Sequence, residues 1–271
     1  DGDVLTYNIT TGQWEPLPAP TNEPQQLSVS TTGDTLHLQN GGFVIIPGIS
    51  AANASGGGGG TYPTGSVFCS SGPTEIVDVT NPTTGKIWMD RNLGATQAAT
   101  SSTDVDAYGD LYQWGRFSDG HQCRNNLSYT DILSTSDEPG HSDFIKATYG
   151  LPYDWRSPQN DNLWQGVNGI NNPCPDGYRI PTESELESER LSWSSNDAAG
   201  ALNSTIKLPL AGLRTNSLPH PYEEGTQGRY WSSTISSVVP HRVQFFGFAA
   251  TSAWFSDYYR AGGSSVRCIK D

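Results

Sequence analysis

A chain of 271 residues has room for one large domain, or for a medium domain with a small appendage. Charged residues make up only 16% and aromatics 10%, with 30 Gly and 18 Pro, which excludes a disordered chain and a helical bundle and leaves a loop-rich, mostly β globular protein. A net charge of −13 argues against nucleic acid as a partner, because that affinity comes from neutralising phosphates.

Taken in chain order, residues 1–50 carry strand signals at Val4–Tyr7, Gln26–Ser30, Thr35–Leu38 and Gly42–Ile46, separated by Thr-Gly, Pro and Gly-Asp turns. Leu36-His37-Leu38-Gln39 alternates apolar and polar residues, as a half-buried strand does, and Asn40-Gly41 marks a hairpin turn. So short a segment buries little surface, so a small β attachment or oligomerisation module is expected, leaning on a partner chain or the main domain. Residues 51–66 include five consecutive glycines, Gly56 to Gly60, which favour no single backbone state and predict a linker.

Residues 67–271 read as one aromatic-rich domain. A first helix is predicted near Asp106–Arg116, where Tyr108, Leu111, Tyr112 and Trp114 supply an apolar stripe. A second begins at Thr182, because Thr182-x-x-Glu185 directly after Pro181 is a capping box, with Leu186 and Trp193 on its buried side. A last strand is expected at Ser265–Ile269. Two helices among short strands and long loops make an α+β domain. No apolar run approaches the roughly 20 residues of a membrane-spanning helix, so no membrane insertion is expected. Cys69, Cys123, Cys174 and Cys268 allow two disulfides in three connectivities, or four buried thiols.

Several blocks in this domain resemble the Fibrobacter succinogenes major paralogous domain family. They are Thr84-Gly85-Lys86-Ile87-Trp88-Met89-Asp90-Arg91-Asn92-Leu93-Gly94, Tyr108-Gly109-Asp110-Leu111-Tyr112-Gln113-Trp114-Gly115-Arg116 and Asn172-Pro173-Cys174-Pro175-Asp176-Gly177-Tyr178-Arg179-Ile180-Pro181-Thr182, then Tyr230-Trp231-Ser232-Ser233 and Ser265-Val266-Arg267-Cys268. The resemblance implies a C-type-lectin-like fold of the formylglycine-generating-enzyme type, loop-rich, with two helices and short antiparallel strands. The C-terminal stretch is similar to the variable region of proteins diversified by retroelements, and residues 1–46 resemble short modules of phage tail fibres. Together these imply a receptor-binding protein of a phage or prophage, located on the virion (tail fibre or tip) or on a bacterial cell surface and facing the outside. The implied partner is a host-cell surface protein or glycan, with a homotrimer formed through the N-terminal module. A bacterial surface adhesin and an enzyme related to the formylglycine-generating oxidase are the alternatives.

The last 47 residues support recognition on their own composition. Residues 225–271 carry five basic and two acidic side chains in an otherwise acidic chain, together with nine aromatics where composition alone would put about five. Adjacent aromatics in Phe245-Phe246-Gly247-Phe248 and Trp254-Phe255 must point to opposite faces of a strand, so some are expected to reach solvent. Exposed Tyr and Phe among Ser, Gly, Asp and His is the composition of a paratope. Retroelement mutagenesis at template adenines, often in AAC codons, reaches the residue types at His241, Phe246, Phe248, Phe255, Ser256, Asp257, Tyr258, Tyr259, Gly262 and Ser264 but never Trp or Gln. Those ten positions are therefore the expected ligand-binding surface, with Trp231, Gln244, Trp254 and Arg267 as scaffold.

No catalytic residues are expected: Gly-x-Ser-x-Gly and His-Glu-x-x-His are absent, and Asp176, Glu183 and Glu185 are explained by a helix start. Cys268 has no nearby second cysteine with which to bind copper as the oxidases do, which leaves a buried thiol or a disulfide, with Cys174–Cys268 the first pairing to test. His121 and Cys123 lack a second local pair for zinc. Asp104, Asp106 and Asp110 superficially suggest calcium, but no turn glycine or bidentate Glu follows, and a helix cap at Asp104 or Asp106 fits better. No cofactor is expected. Trp88, Trp114, Trp155 and Trp164 are read as core fillers in preference to sugar-stacking platforms.

Overall fold

The computed structural model describes five strands within residues 5–45, and residues 60–147, 150 and 153–271. The chain divides into two compact units, Asp1–Ala54 and Ser55–Asp271. In the first, β1 (Leu5–Asn8) and β2 (Gln13–Pro16) form an antiparallel pair, and β3 (Leu27–Val29), β4 (Thr35–Leu38) and β5 (Gly41–Ile45) form an antiparallel sheet. The Asn40-Gly41 signal lies at the β4–β5 hairpin, where Leu38 pairs with Gly41. β2 was not foreseen, since Gln13-Trp14-Glu15-Pro16 ends in a residue that cannot donate to a ladder. The inward face expected for Leu36 and Leu38, and the predicted linker up to residue 59, lie outside the described residues.

The linker ends sooner than its composition indicates. Residues 60–66 belong to the second unit: the Asp176 amide donates to the Thr61 carbonyl at 2.8 Å, and the Tyr62 hydroxyl donates to the Thr74 carbonyl at 2.9 Å. Tyr62 packs against the main core. An anchored aromatic outweighs the loop bias of its glycine and proline neighbours.

The second unit is mixed α+β. Short strands β6 (Asp78–Thr80), β7 (Ile87–Met89), β11 (Tyr178–Arg179) and β16 (Ile269–Lys270) assemble in the order β11-β16-β7-β6, tying the end of the chain to the start of the domain. β8 (Tyr112–Gln113) pairs antiparallel with β15 (Gly263–Ser264), while β9 (Tyr129–Thr130) and β10 (Phe144–Ile145) form a parallel pair. The largest sheet is antiparallel, β12 (Gln227–Ile235), β13 (Arg242–Ala249) and β14 (Ser252–Tyr259), with β14 at its edge. The predicted strand at Ser265–Ile269 is shifted: residues 265–268 bond irregularly to Trp231, Arg229, Leu93 and Met89 before β16 begins.

Helix α1 (Glu183–Leu191) starts at the predicted capping box, Thr182 Oγ1 accepting from the Glu185 amide and Glu185 Oε2 from the Thr182 amide. Leu186 is buried beneath it, while Trp193 follows the helix and packs on Phe246 and Phe248. The helix predicted at Asp106–Arg116 is absent. Only a 3-10 turn, Val105–Ala107, forms there, capped by Asp104. Gly109 and Gly115 hold φ of +64° and +79°, and a Cβ on Gly109 would lie 2.3 Å from the Leu93 carbonyl. Tyr108, Leu111, Tyr112 and Trp114 are all buried, more than one helix face could hide. The second helix is instead α2 (Ala198–Asn203), capped by Asp197.

With so little regular structure, buried side chains hold the loops. Cys69–Cys123 and Cys174–Cys268 are disulfides. Arg267 donates to Asn92 Oδ1 (2.9 and 3.1 Å) and to the carbonyls of Met89 and Ile206; Arg214 donates to those of His121 and Cys123 at 2.7 and 2.6 Å. Both arginines are fully buried. No described helix is long and apolar enough to cross a membrane.

Candidate recognition surface

The β12–β14 sheet is packed on both faces near its centre and open at its edge. On one face Tyr230, Phe246 and Phe248 join Leu186, Ala198, Ala201 and Trp88 in a core under the helices. On the other, Trp231, Val243 and Phe245 join Trp114, Trp164, Tyr178 and the Cys174–Cys268 bridge. Two-sided burial explains the near-continuous aromatic run of β13, and it corrects the expectation that Phe246 and Phe248 meet solvent. Both are 0% exposed: Phe246 stacks between Phe255 at 4.9 Å and Trp193 at 5.4 Å, and Phe248 stacks on Tyr230 at 5.8 Å. Gly262 and Ser264 are likewise buried and present no contact surface. Gly262 is a seat, since a Cβ there would lie 2.3 Å from the Tyr258 ring, and Ser264 pairs with Tyr112 in the β8–β15 ladder.

The remaining six expected positions cluster. Phe255, Asp257, Tyr258 and Tyr259 are half-buried on β14, Ser256 is exposed between them, and His241 is half-buried in the turn just before β13. Of the expected scaffold, Trp231 and Arg267 are buried, Gln244 is half-buried, and Trp254 is partly exposed. Trp231 is pinned by its indole N–H, which donates to the Tyr112 carbonyl at 2.6 Å.

The surface rests on a fixed base. Ala249 and Ser252 close the β13–β14 hairpin across Ala250-Thr251, so alternate backbone groups of β14 face away from β13. The ring of Tyr259 packs on Tyr153 at 4.6 Å, and Arg242 lies 4.5 Å over it while donating to its hydroxyl at 2.9 Å. A buried arginine, Arg260, secures the adjoining loops through Asp161 at 2.5 Å and the Pro240 carbonyl. Gln159 adds bonds to Asp154 and to the His241 carbonyl. Burial raises the Tyr258 pKa, and the nearby Arg229 opposes that rise. Three buried polar atoms here have no hydrogen-bond partner, Arg242 Nε, Asp257 Oδ1 and Arg260 Nε.

Sequence reasoning did not find Arg229, whose guanidinium lies 4.8 Å from the Phe245 ring and 5.4 Å from the Tyr258 ring, nor Tyr153. The sequence signals only the packing around the first, not the arginine itself. Gly228, Gly247 and Gly262 each lie where a Cβ would strike an aromatic ring, of Phe248, Trp254 and Tyr258 respectively. Glycine inside a strand pattern marks such close approaches.

The other chemistry-bearing residues have structural occupations. Cys123 is in a disulfide, and both nitrogens of His121 are engaged, Nδ1 with Asp119 Oδ1 at 2.7 Å and Nε2 accepting from the Gln113 amide at 3.0 Å. Burial and the Arg116 charge hold the His121 pKa down to about 4. Burial pushes the Asp119 carboxyl up, but His121 and Arg116 outweigh it and hold it at about 2. Asp104 accepts from Thr100, Gln97 and the Asp106 amide as a cap. Asp110 lies apart beneath Gly94, its pKa raised to about 7 by burial against the pull of Arg124 and Arg214. Trp88, Trp114, Trp155 and Trp164 are wholly buried. No group of three or more metal-ligating side chains occurs among the described residues. Comparison of the chain with family models, with curated proteins and with solved structures gives no match.

Proposed function

We propose that the chain is a recognition protein, a phage or prophage tropism determinant built on a C-type-lectin-like scaffold, which docks a host-cell surface protein or glycan on the outer edge of β14. The observation that carries this is the contrast within one sheet. β12 and β13 are locked by cores on both faces, whereas β14 leaves aromatic and small polar side chains partly exposed on a rigid base. Aromatic anchors rimmed by small polar groups provide contact area at little rotamer cost. A single surface of this size gives modest affinity, and display on an oligomer, with residues 1–50 as the attachment or trimerisation module, would supply avidity. Two disulfides suit the oxidising exterior of a virion or cell surface.

The burial pattern sharpens the genetic test. The flanking DNA is expected to hold a reverse transcriptase and a template repeat whose adenines fall at the codons of His241, Phe255, Ser256, Asp257, Tyr258 and Tyr259. The codons of the buried Phe246 and Phe248 should be spared. Sequencing that DNA checks it, and a repeat with adenines at Phe246 and Phe248 but not on β14 would sink the assignment of this surface.

A further inference from the structure

Nine of the eleven arginines in the second unit are engaged with a carboxylate or a backbone carbonyl: Arg91, Arg116, Arg124, Arg156, Arg179, Arg190, Arg214, Arg260 and Arg267. The two others, Arg229 and Arg242, lie on the three-stranded sheet. Arg242 bonds to the Tyr259 hydroxyl. Arg229 is held only by the faces of Phe245 and Tyr258 and by a long 3.4 Å contact to Gln227 Oε1, with no carboxylate among the described residues inside the 4.0 Å of an ion pair. Glu223 acts on it electrostatically from farther away. Aromatic faces stabilise a guanidinium without using its N–H donors, so this cation is positioned but not satisfied.

Its neighbours on that face are specific. Arg229 pairs across the sheet with Gly247, and Gly247 with Trp254. A Cβ on Gly247 would lie 2.7, 2.9 and 2.9 Å from three atoms of the indole. Near-equal distances mean that the ring lies face-down on the glycine, leaving its other face outward on a partly exposed side chain. Ser252 and Ser256, both exposed, flank Trp254 on the same face of β14. Tyr258 follows two residues beyond Ser256, its ring seated on Gly262.

We propose that Arg229, Trp254 and Tyr258 form a subsite for a carboxylate-bearing sugar, the uronate or sialate unit of an acidic cell-surface polysaccharide. A planar guanidinium matches a carboxylate with two parallel hydrogen bonds. The outward indole offers a flat apolar platform for the C–H face of a pyranose ring, and the exposed Ser256, two residues along on the same face, offers its hydroxyl for the ring hydroxyls. A flat platform between two serines suits a sugar ring better than a peptide side chain, which needs a pocket. The proposal rests on the recognition reading and deepens it. Trp254 is outside the set reachable by adenine mutagenesis, so a constant anchor would give affinity for acidic sugars while variable Ser256 and Tyr258 select among them.

The test uses the full chain against immobilised polygalacturonate and polysialic acid, with carboxyl-reduced polygalacturonate, dextran sulfate and poly-glutamate as comparison probes. Binding to at least one of the two acidic polysaccharides is expected, with carboxyl reduction weakening polygalacturonate binding at least tenfold where it occurs. Arg229→Gln and Trp254→Ala should each weaken binding about tenfold or more at unchanged Tm, with Arg229→Lys recovering only part of the loss. Trp254→Leu serves if the alanine variant fails to fold. Binding to neither polysaccharide, unchanged affinity in Arg229→Gln, or equal binding to dextran sulfate or poly-glutamate would overturn the subsite. Cell binding that is lost on changing Phe255 but indifferent to Arg229→Gln and to competing polysaccharide would overturn the subsite and leave the recognition reading standing.

Discussion

Replacing Cys174 and Cys268 together by alanine should destabilise the second unit by about 4–5 kcal/mol, the chain-entropy value for a closed loop of this length. The bridge spans 94 residues of sequence and lies in the same core as Trp114, Trp164, Tyr178 and Trp231. It joins the segment leading into α1 to the stretch leading into β16, two regions with few ladder bonds of their own. Both sulfurs are buried, so reductant should act only after local opening. Urea unfolding of parent and double variant under oxidising conditions measures the effect. A loss below about 1 kcal/mol would mean that the core holds these segments without the bridge.

Arg267→Met should be nearly as damaging, at about 3–5 kcal/mol. The side chain of Met fills much of the same volume, so the change isolates the hydrogen bonds. Without the guanidinium, Asn92 Oδ1 and the carbonyls of Met89 and Ile206 lose their shared donor in a region closed to water. Asn92 also donates to the Tyr108 carbonyl and the Tyr230 hydroxyl, so its loss of register would reach the base of the three-stranded sheet. Arg267→Lys keeps the charge but cannot serve three acceptors from one plane, and should recover less than half of the loss. Thermal and urea unfolding of both variants check this, and a Met variant as stable as the parent would remove the guanidinium from the account of loop anchoring.

Those two features show which parts of the fold were legible. The capping box at Thr182-Glu185 is local chemistry, and α1 begins where it indicates. The apolar stripe from Tyr108 to Trp114 imitates a helix face, but all four side chains are buried by segments distant in sequence, Tyr112 and Trp114 by β12 and β13 among them, and Gly109 and Gly115 turn the backbone out of helical range. Non-local burial of that kind leaves no periodicity to read. The candidate surface divides the same way. Composition located it in the last 47 residues, yet Phe246 and Phe248 were placed on it because alternation assumes that a strand buries one face. Clusters on both sides of β13 remove that assumption, and only the edge position of β14 leaves side chains free. Arg229 was overlooked because an arginine becomes informative only once the partners of all the others are known.

The most direct measurement is binding of the fluorescently labelled full chain to a panel of intact bacterial strains, comparing the parent with the triple variant Phe255→Ala, Tyr258→Ala, Tyr259→Ala. The parent should bind saturably to a subset of strains. Loss of at least about tenfold in affinity is expected for the triple variant, measured below its own unfolding transition because the three rings also pack on Phe246, Arg229 and Tyr153, since hot-spot aromatics carry most of the energy of such contacts. A folded triple variant that binds the same strains as tightly as the parent would contradict the proposed recognition surface.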